Sequence, residues 1–216
     1  MRIRHGRVGL ELHELKGGEG HPLLLVHALF GSSADWAEAP AAWPGAVCAL
    51  DMSGHGRSDW VRGGAYYPEL LAADIDAALA HVGPVCLAGA GFGAYASLLV
   101  AGARHDLVRG VLLLPGTGLA GGGPQPDFAT PSGRPDELAA DTRGPFDPMV
   151  RTLERDVRPP EFAVAVARPI RRILLLEDGD PRPPWWEAVR ALPASEHIEG
   201  DVRSALLHLR AATSIV

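Results

Sequence analysis

The chain has 216 residues, 47% of them apolar and 21% charged, which suits one globular domain with a core of its own. A formal net charge of −6 and the lack of a basic stripe argue against nucleic acid as a partner. No apolar stretch approaches the roughly 20 residues of a membrane span and the N-terminus lacks a signal-peptide core, so the expected location is the cytoplasm.

Residues 2–16 alternate polar and apolar side chains at period two and predict a β-hairpin. "HPLLLVH" (21–27) is a continuous apolar run of the kind found in buried parallel strands. A loop, "ALFGSS", and a helix-like "SADWAEAPAAW" follow it. "AVCALD" (46–51) is the next strand, ending in the glycine-broken turn "MSGHGRSD". Residues 68–82 place Leu70, Leu71, Ile75, Ala78 and Leu79 on one helical face. "PVCLAG" and "ASLLVAGAR" then read as strand and helix on either side of a glycine turn, and "VRGVLLLPG" (108–116) as a further strand. Cys48 and Cys86 fall inside strand-like runs and read as buried free thiols.

The pattern changes at Gly116, where a Gly- and Pro-rich interval begins. Short helices are expected at about 147–157 and 160–167, strands at 171–178 and 195–199, and a closing helix after Asp201 as its N-cap. Alternating strands and helices imply an α/β fold, a mainly parallel sheet with helices on both faces. The expected organisation is a single domain over 1–216 with a loop-rich cap insertion at approximately 117–169.

The stretch "VCLAGAGFGAYASLL" (85–99) admits two readings. Gly89-x-Gly91-x-x-Ala94 between strand and helix satisfies a dinucleotide-binding fingerprint locally. That fingerprint also needs a carboxylate at the end of the next strand, and here the strand ends in Pro115 and Gly116. The other reading is a nucleophile turn that has lost its nucleophile.

"LLLVHALFGSSADW", "LDMSGHGRSDW" and "VCLAGAGFGAYASLL", in that order and spacing, resemble the α/β-hydrolase superfamily. They correspond to its oxyanion loop, its Asp-x-x-Gly-His-Gly-x-Ser turn and its strand–elbow–helix. The elbow normally reads Gly-x-Ser-x-Gly. Here Gly89 and Gly93 keep the frame, Ala90 precedes the nucleophile position, and Gly91 occupies it. Glycine cannot attack a carbonyl, but it adopts the strained backbone of the turn freely.

The resemblance further implies a catalytic acid at Asp180 and a histidine after the last strand, for which His197 and His208 are weak candidates. It implies an oxyanion site formed by the backbone N–H groups of Leu29 and Phe92, with His27, Ala28, Ala90 and Gly91 around it. Asp51 and Ser53 are further candidates for the cavity edge, while Trp185 and Trp186 read mainly as packing. The elbow Gly89–Tyr95 also resembles the Gly-x-Gly-x-Gly-Ala-Tyr of the N-myc downstream-regulated proteins, which are regarded as non-enzymatic.

The expectation is a catalytically degenerate hydrolase-fold protein that binds a small apolar or acidic molecule or a protein partner. The alternative is an enzyme of altered chemistry that uses the Leu29/Phe92 donors and Asp180. No cofactor is expected, and the nine histidines show no metal-ligand spacing.

Overall fold

The computed structural model describes residues 1–61, 65–119, 146–155, 157–179 and 182–213. Eight strands form one sheet: β1 (Arg2–His5), β2 (Val8–Lys16), β3 (Leu23–Val26), β4 (Val47–Asp51), β5 (Val85–Ala90), β6 (Val108–Leu114), β7 (Ile173–Glu177) and β8 (Ser195–Glu199). Their spatial order is β1-β2-β4-β3-β5-β6-β7-β8. The first hairpin joins β4 antiparallel, and every later pairing is parallel.

The apolar runs explain the parallel part. Leu24, Val26, Leu87, Leu113 and Leu175 face one core, and Leu23, Leu25, Cys86, Ala88, Leu112 and Leu174 face the other. A strand covered on both sides needs apolar residues at every position. The first core is closed by α1 (Pro68–Val82), α2 (Phe92–Ala103), α3 (Pro160–Ala167) and α4 (Pro184–Arg190). The second is closed by two short 3-10 helices (Ser33–Trp36 and Ala39–Ala42) and by α5 (Val202–Thr213).

The expected helix at "SADWAEAPAAW" is thus two separate 3-10 turns. Ser32 and Asp35 form a reciprocal capping box at the first. Pro40 has no N–H to continue the ladder, which accounts for the break. The weak helix near 147–157 is likewise a 3-10 segment, Pro148–Arg155. Trp185 and Trp186 are buried, the former edge-on to Tyr95 with ring centroids 5.1 Å apart, so this pair packs the core. Cys86 is buried and Cys48 half-buried, both as free thiols. Among the described residues no helix is long and apolar enough to cross a membrane.

Candidate functional site

The carboxyl ends of β3, β5, β6, β7 and β8 converge on a cavity of about 490 Å³. Strand ends are where ligands bind in open parallel sheets. Ala28, Trp36, Ala90, Leu114, Pro115, Leu176 and Val202 give it apolar walls, and His27, Asp35, Asp178 and Asp201 contribute polar groups.

The turn after β5 is the centre of the arrangement. Gly91 has φ 51° and ψ −118°, and Phe92 opens α2 directly after it. Gly89 and Gly93 let strand and helix touch, since a Cβ on Gly89 would lie 2.3 Å from the Gly93 carbonyl oxygen. Strand and helix are therefore joined through a left-handed glycine with no room to spare between them.

The N–H groups of Leu29 and Phe92 converge as the resemblance implies, but on an acceptor from the same chain. The Thr117 carbonyl oxygen accepts from Leu29 at 3.2 Å and from Phe92 at 2.9 Å. The Thr117 hydroxyl donates to the Leu29 carbonyl at 2.6 Å, and Gly91 N–H donates to the Leu114 carbonyl at 2.9 Å. A Cβ on Gly91 would lie 2.3 Å from the Thr117 carbonyl oxygen and 2.5 Å from the Gly116 carbonyl carbon. The segment Gly116–Gly118 thus lies across the turn, over the position a nucleophile's side chain would take. Leu29, Gly91 and Phe92 sit behind it, whereas His27, Ala28 and Ala90 line the cavity.

His27 is fully buried and locked in one tautomer. Its Nδ1 donates to the Ala28 carbonyl at 2.7 Å, and its Nε2 accepts from the Met52 amide at 3.1 Å. Burial holds its pKa below the ordinary value, although the Ala28 carbonyl and Asp51 pull the other way. With both ring nitrogens engaged by backbone, His27 ties the loop after β3 to the turn after β4 and is no free base.

The two weak histidine candidates fall outside the cavity. His197 is exposed on β8, with Nε2 3.2 Å from the Arg190 carbonyl. His208 is exposed on α5, 2.6 Å from Glu196. Strand alternation and helix phase turn both away from the cavity, which their spacing in sequence does not reveal. Asp180 lies outside the described residues. The carboxylate that the structure places at the end of β7 is Asp178, which is ion-paired with Arg182.

After β8, where the resemblance implies a histidine, the chain has Gly200 and Asp201. Asp201 caps α5, accepting from the Ser204 amide at 2.7 Å, and the Ser204 hydrogen bonds hold its pKa below the usual carboxylate range.

Asp51 and Ser53 do not reach this cavity. Asp51 accepts from the Ser33 amide at 2.7 Å, the Arg57 amide at 2.9 Å and His13 at 3.0 Å, holding the loop after β3 to the turn after β4. Ser53 is fully buried and its amide donates to Asp74 at 2.8 Å. Among the described residues no cluster of His, Cys, Asp and Glu is arranged to hold a metal ion.

Sequence reading missed Thr117, Asp178 and the cavity role of Trp36 and Asp201. The Gly-Thr-Gly at 116–118 is the one available signal for the first, and it reads as ordinary loop composition.

The alpha/beta hydrolase family model matches residues 23–213, which takes in every parallel strand and the cavity. The chain belongs to the α/β-hydrolase family. No curated protein sequence matches it. Solved structures of similar fold include the thioesterase domain from the curacin biosynthetic pathway (18% identity, 100% of this chain, 97% of that one, TM-score 0.68). The bottromycin epimerase BotH, in complex with bottromycin, is similar at 19% identity (100% and 97% covered, TM-score 0.65). Est1E from Butyrivibrio proteoclasticus, solved with ferulic acid bound, is similar at 16% (100% and 100% covered, TM-score 0.65). At these identities the likeness shows the fold alone.

Proposed function

We propose that this α/β-hydrolase-family chain is catalytically degenerate and binds a small molecule or a protein partner at the strand-end cavity. One observation carries the reading. At the nucleophile position stands Gly91, and the space its side chain would need is filled by the backbone of Thr117. Acyl transfer by this family's route requires a side-chain oxygen there and a histidine to take its proton. Among the described residues, the one histidine lining the cavity is His27, held by two backbone groups. The likeness of Gly89–Tyr95 to the elbow of the non-enzymatic N-myc downstream-regulated proteins supports the same reading.

A second reading, an enzyme of altered chemistry, draws on the carboxylates of Asp178 and Asp201 at the cavity and on the epimerase among the structural neighbours. Such carboxylates can move protons without a nucleophile.

The test is incubation with a fluorophosphonate probe and with short-chain p-nitrophenyl esters. No labelling and no turnover are expected. Covalent labelling, or turnover abolished by Gly91→Val, would overturn the degenerate reading.

A further inference from the structure

We propose that the Gly116–Gly118 segment is an autoinhibitory plug, whose Thr117 carbonyl occupies the paired N–H groups of Leu29 and Phe92 until a ligand oxygen displaces it. The proposal rests on the binding reading above and adds to it how the site is closed and what opens it.

Three observations carry it. Both donors end on one oxygen, at 3.2 and 2.9 Å, so the pair is saturated by the chain itself. The segment fits only through missing side chains. A Cβ on Gly116 would lie 2.9 Å from the Gly91 nitrogen, and one on Gly118 would lie 2.6 Å from Leu29 Cβ and 2.8 Å from Phe92 Cβ. Yet Thr117 is itself exposed, and its side chain adds a single anchor, the 2.6 Å bond to the Leu29 carbonyl. An exposed residue flanked by glycines, with its carbonyl in a two-donor site, can be exchanged for an external oxygen with no net loss of hydrogen bonds.

The resident occupant also specifies the ligand. Thr117 presents a neutral amide carbonyl, while Asp35 and Asp201, with the Arg182-paired Asp178, line the adjoining cavity, which no Lys or Arg among the described residues lines. An anion approaching through that cavity meets the like charge of Asp35 and Asp201. The fitting ligand is therefore an uncharged carbonyl compound with an apolar substituent, which narrows the expectation of an apolar or acidic molecule. A closed plug weakens the apparent affinity by the fraction of molecules that are open, so loosening it tightens binding.

The experiment follows the Leu29 and Phe92 amides by NMR hydrogen exchange in the whole chain. Thr117→Val removes the anchor and Thr117→Ser keeps it, while Gly118→Ala forces the segment off Leu29 and Phe92 both by contact and by backbone strain at φ 98°. Exchange at both amides should quicken about fivefold in Thr117→Val, the factor one net hydrogen bond carries. It should quicken at least as much in Gly118→Ala and stay unchanged in Thr117→Ser.

Titrated acetanilide should shift both resonances and bind Thr117→Val tighter than the parent by a similar factor, whereas phenylacetate should do neither. Unchanged exchange in both opened variants overturns the plug, as does failure of acetanilide to move either resonance in them. Equal binding of phenylacetate overturns the neutral-carbonyl assignment. Ester turnover by the parent chain would overturn the degenerate reading without altering these exchange rates, so the two failures are separable.

Discussion

His5 of β1 and Asp74 of α1 meet at 2.7 Å, joining the edge of the sheet to the helix that covers it. Asp74 is fully buried and its other oxygen accepts from the Ser53 amide at 2.8 Å, so one carboxylate ties three elements together. The hydrogen bond to Asp74 raises the His5 pKa above 6.5, against the desolvation that lowers it. A raised histidine pKa gives stability that is full below the unfolded value and lost as pH rises through the folded one. The advantage of the parent over His5→Gln, measured by thermal melting, should therefore be largest below about pH 6.5 and shrink above it.

His55 works in the opposite sense. It is fully buried, its Nε2 has no partner among the described residues, and burial with the nearby His27 pushes its pKa down to about 3. A depressed histidine must stay neutral in the fold, so the unfolded chain binds the extra proton between about 3 and 6.5. Stability should fall as pH drops below 6.5, by about 1.4 kcal/mol per pH unit for this group. His55→Gln should lose one proton from that slope, which denaturant titrations at pH 4.5 and 6 would measure.

Gly91→Ser should destabilise the chain and give no esterase. Backbone strain at φ 51° accounts for about 1–3 kcal/mol, and the 2.3 Å approach to the Thr117 carbonyl adds a displacement of the segment over it. A thermal melt and a p-nitrophenyl acetate assay test both halves. Robust turnover in that variant would reveal a working acid–histidine pair.

Asp51→Asn should cost about 1–3 kcal/mol, because an amide cannot accept from the Ser33 and Arg57 amides and His13 as the carboxylate does. Burial alone would raise the Asp51 pKa, yet the Arg57 and Ser33 amides and His13 outweigh it and bring it below 3.8. The parent should thus hold its advantage over Asp51→Asn above pH 3.8 and lose it as pH falls through the lowered value, in parallel urea titrations.

The fold was legible wherever side-chain pattern determines structure. Leu23–Val26 and Val108–Leu114 read as buried strands because both faces of the sheet are covered, and α1 starts at Pro68 and stops before Gly83. The site was legible only as a glycine turn. Gly91 marks that turn in the sequence, but Thr117 enters through its carbonyl, which every residue possesses and no sequence pattern marks. His197 and His208 misled because spacing gives the distance along the chain and not the face of strand or helix that each occupies.

The mutual fit of Gly91, Gly116 and Gly118 makes each of the three hard to replace. A Cβ at any of them meets backbone or Cβ atoms of the same knot at 2.3 to 2.9 Å, so a side chain at one position alone runs uphill. The turn behaves as a ratchet: with the strand-end backbone closed over the glycine, a single substitution at one position is opposed by the close fit at the other two.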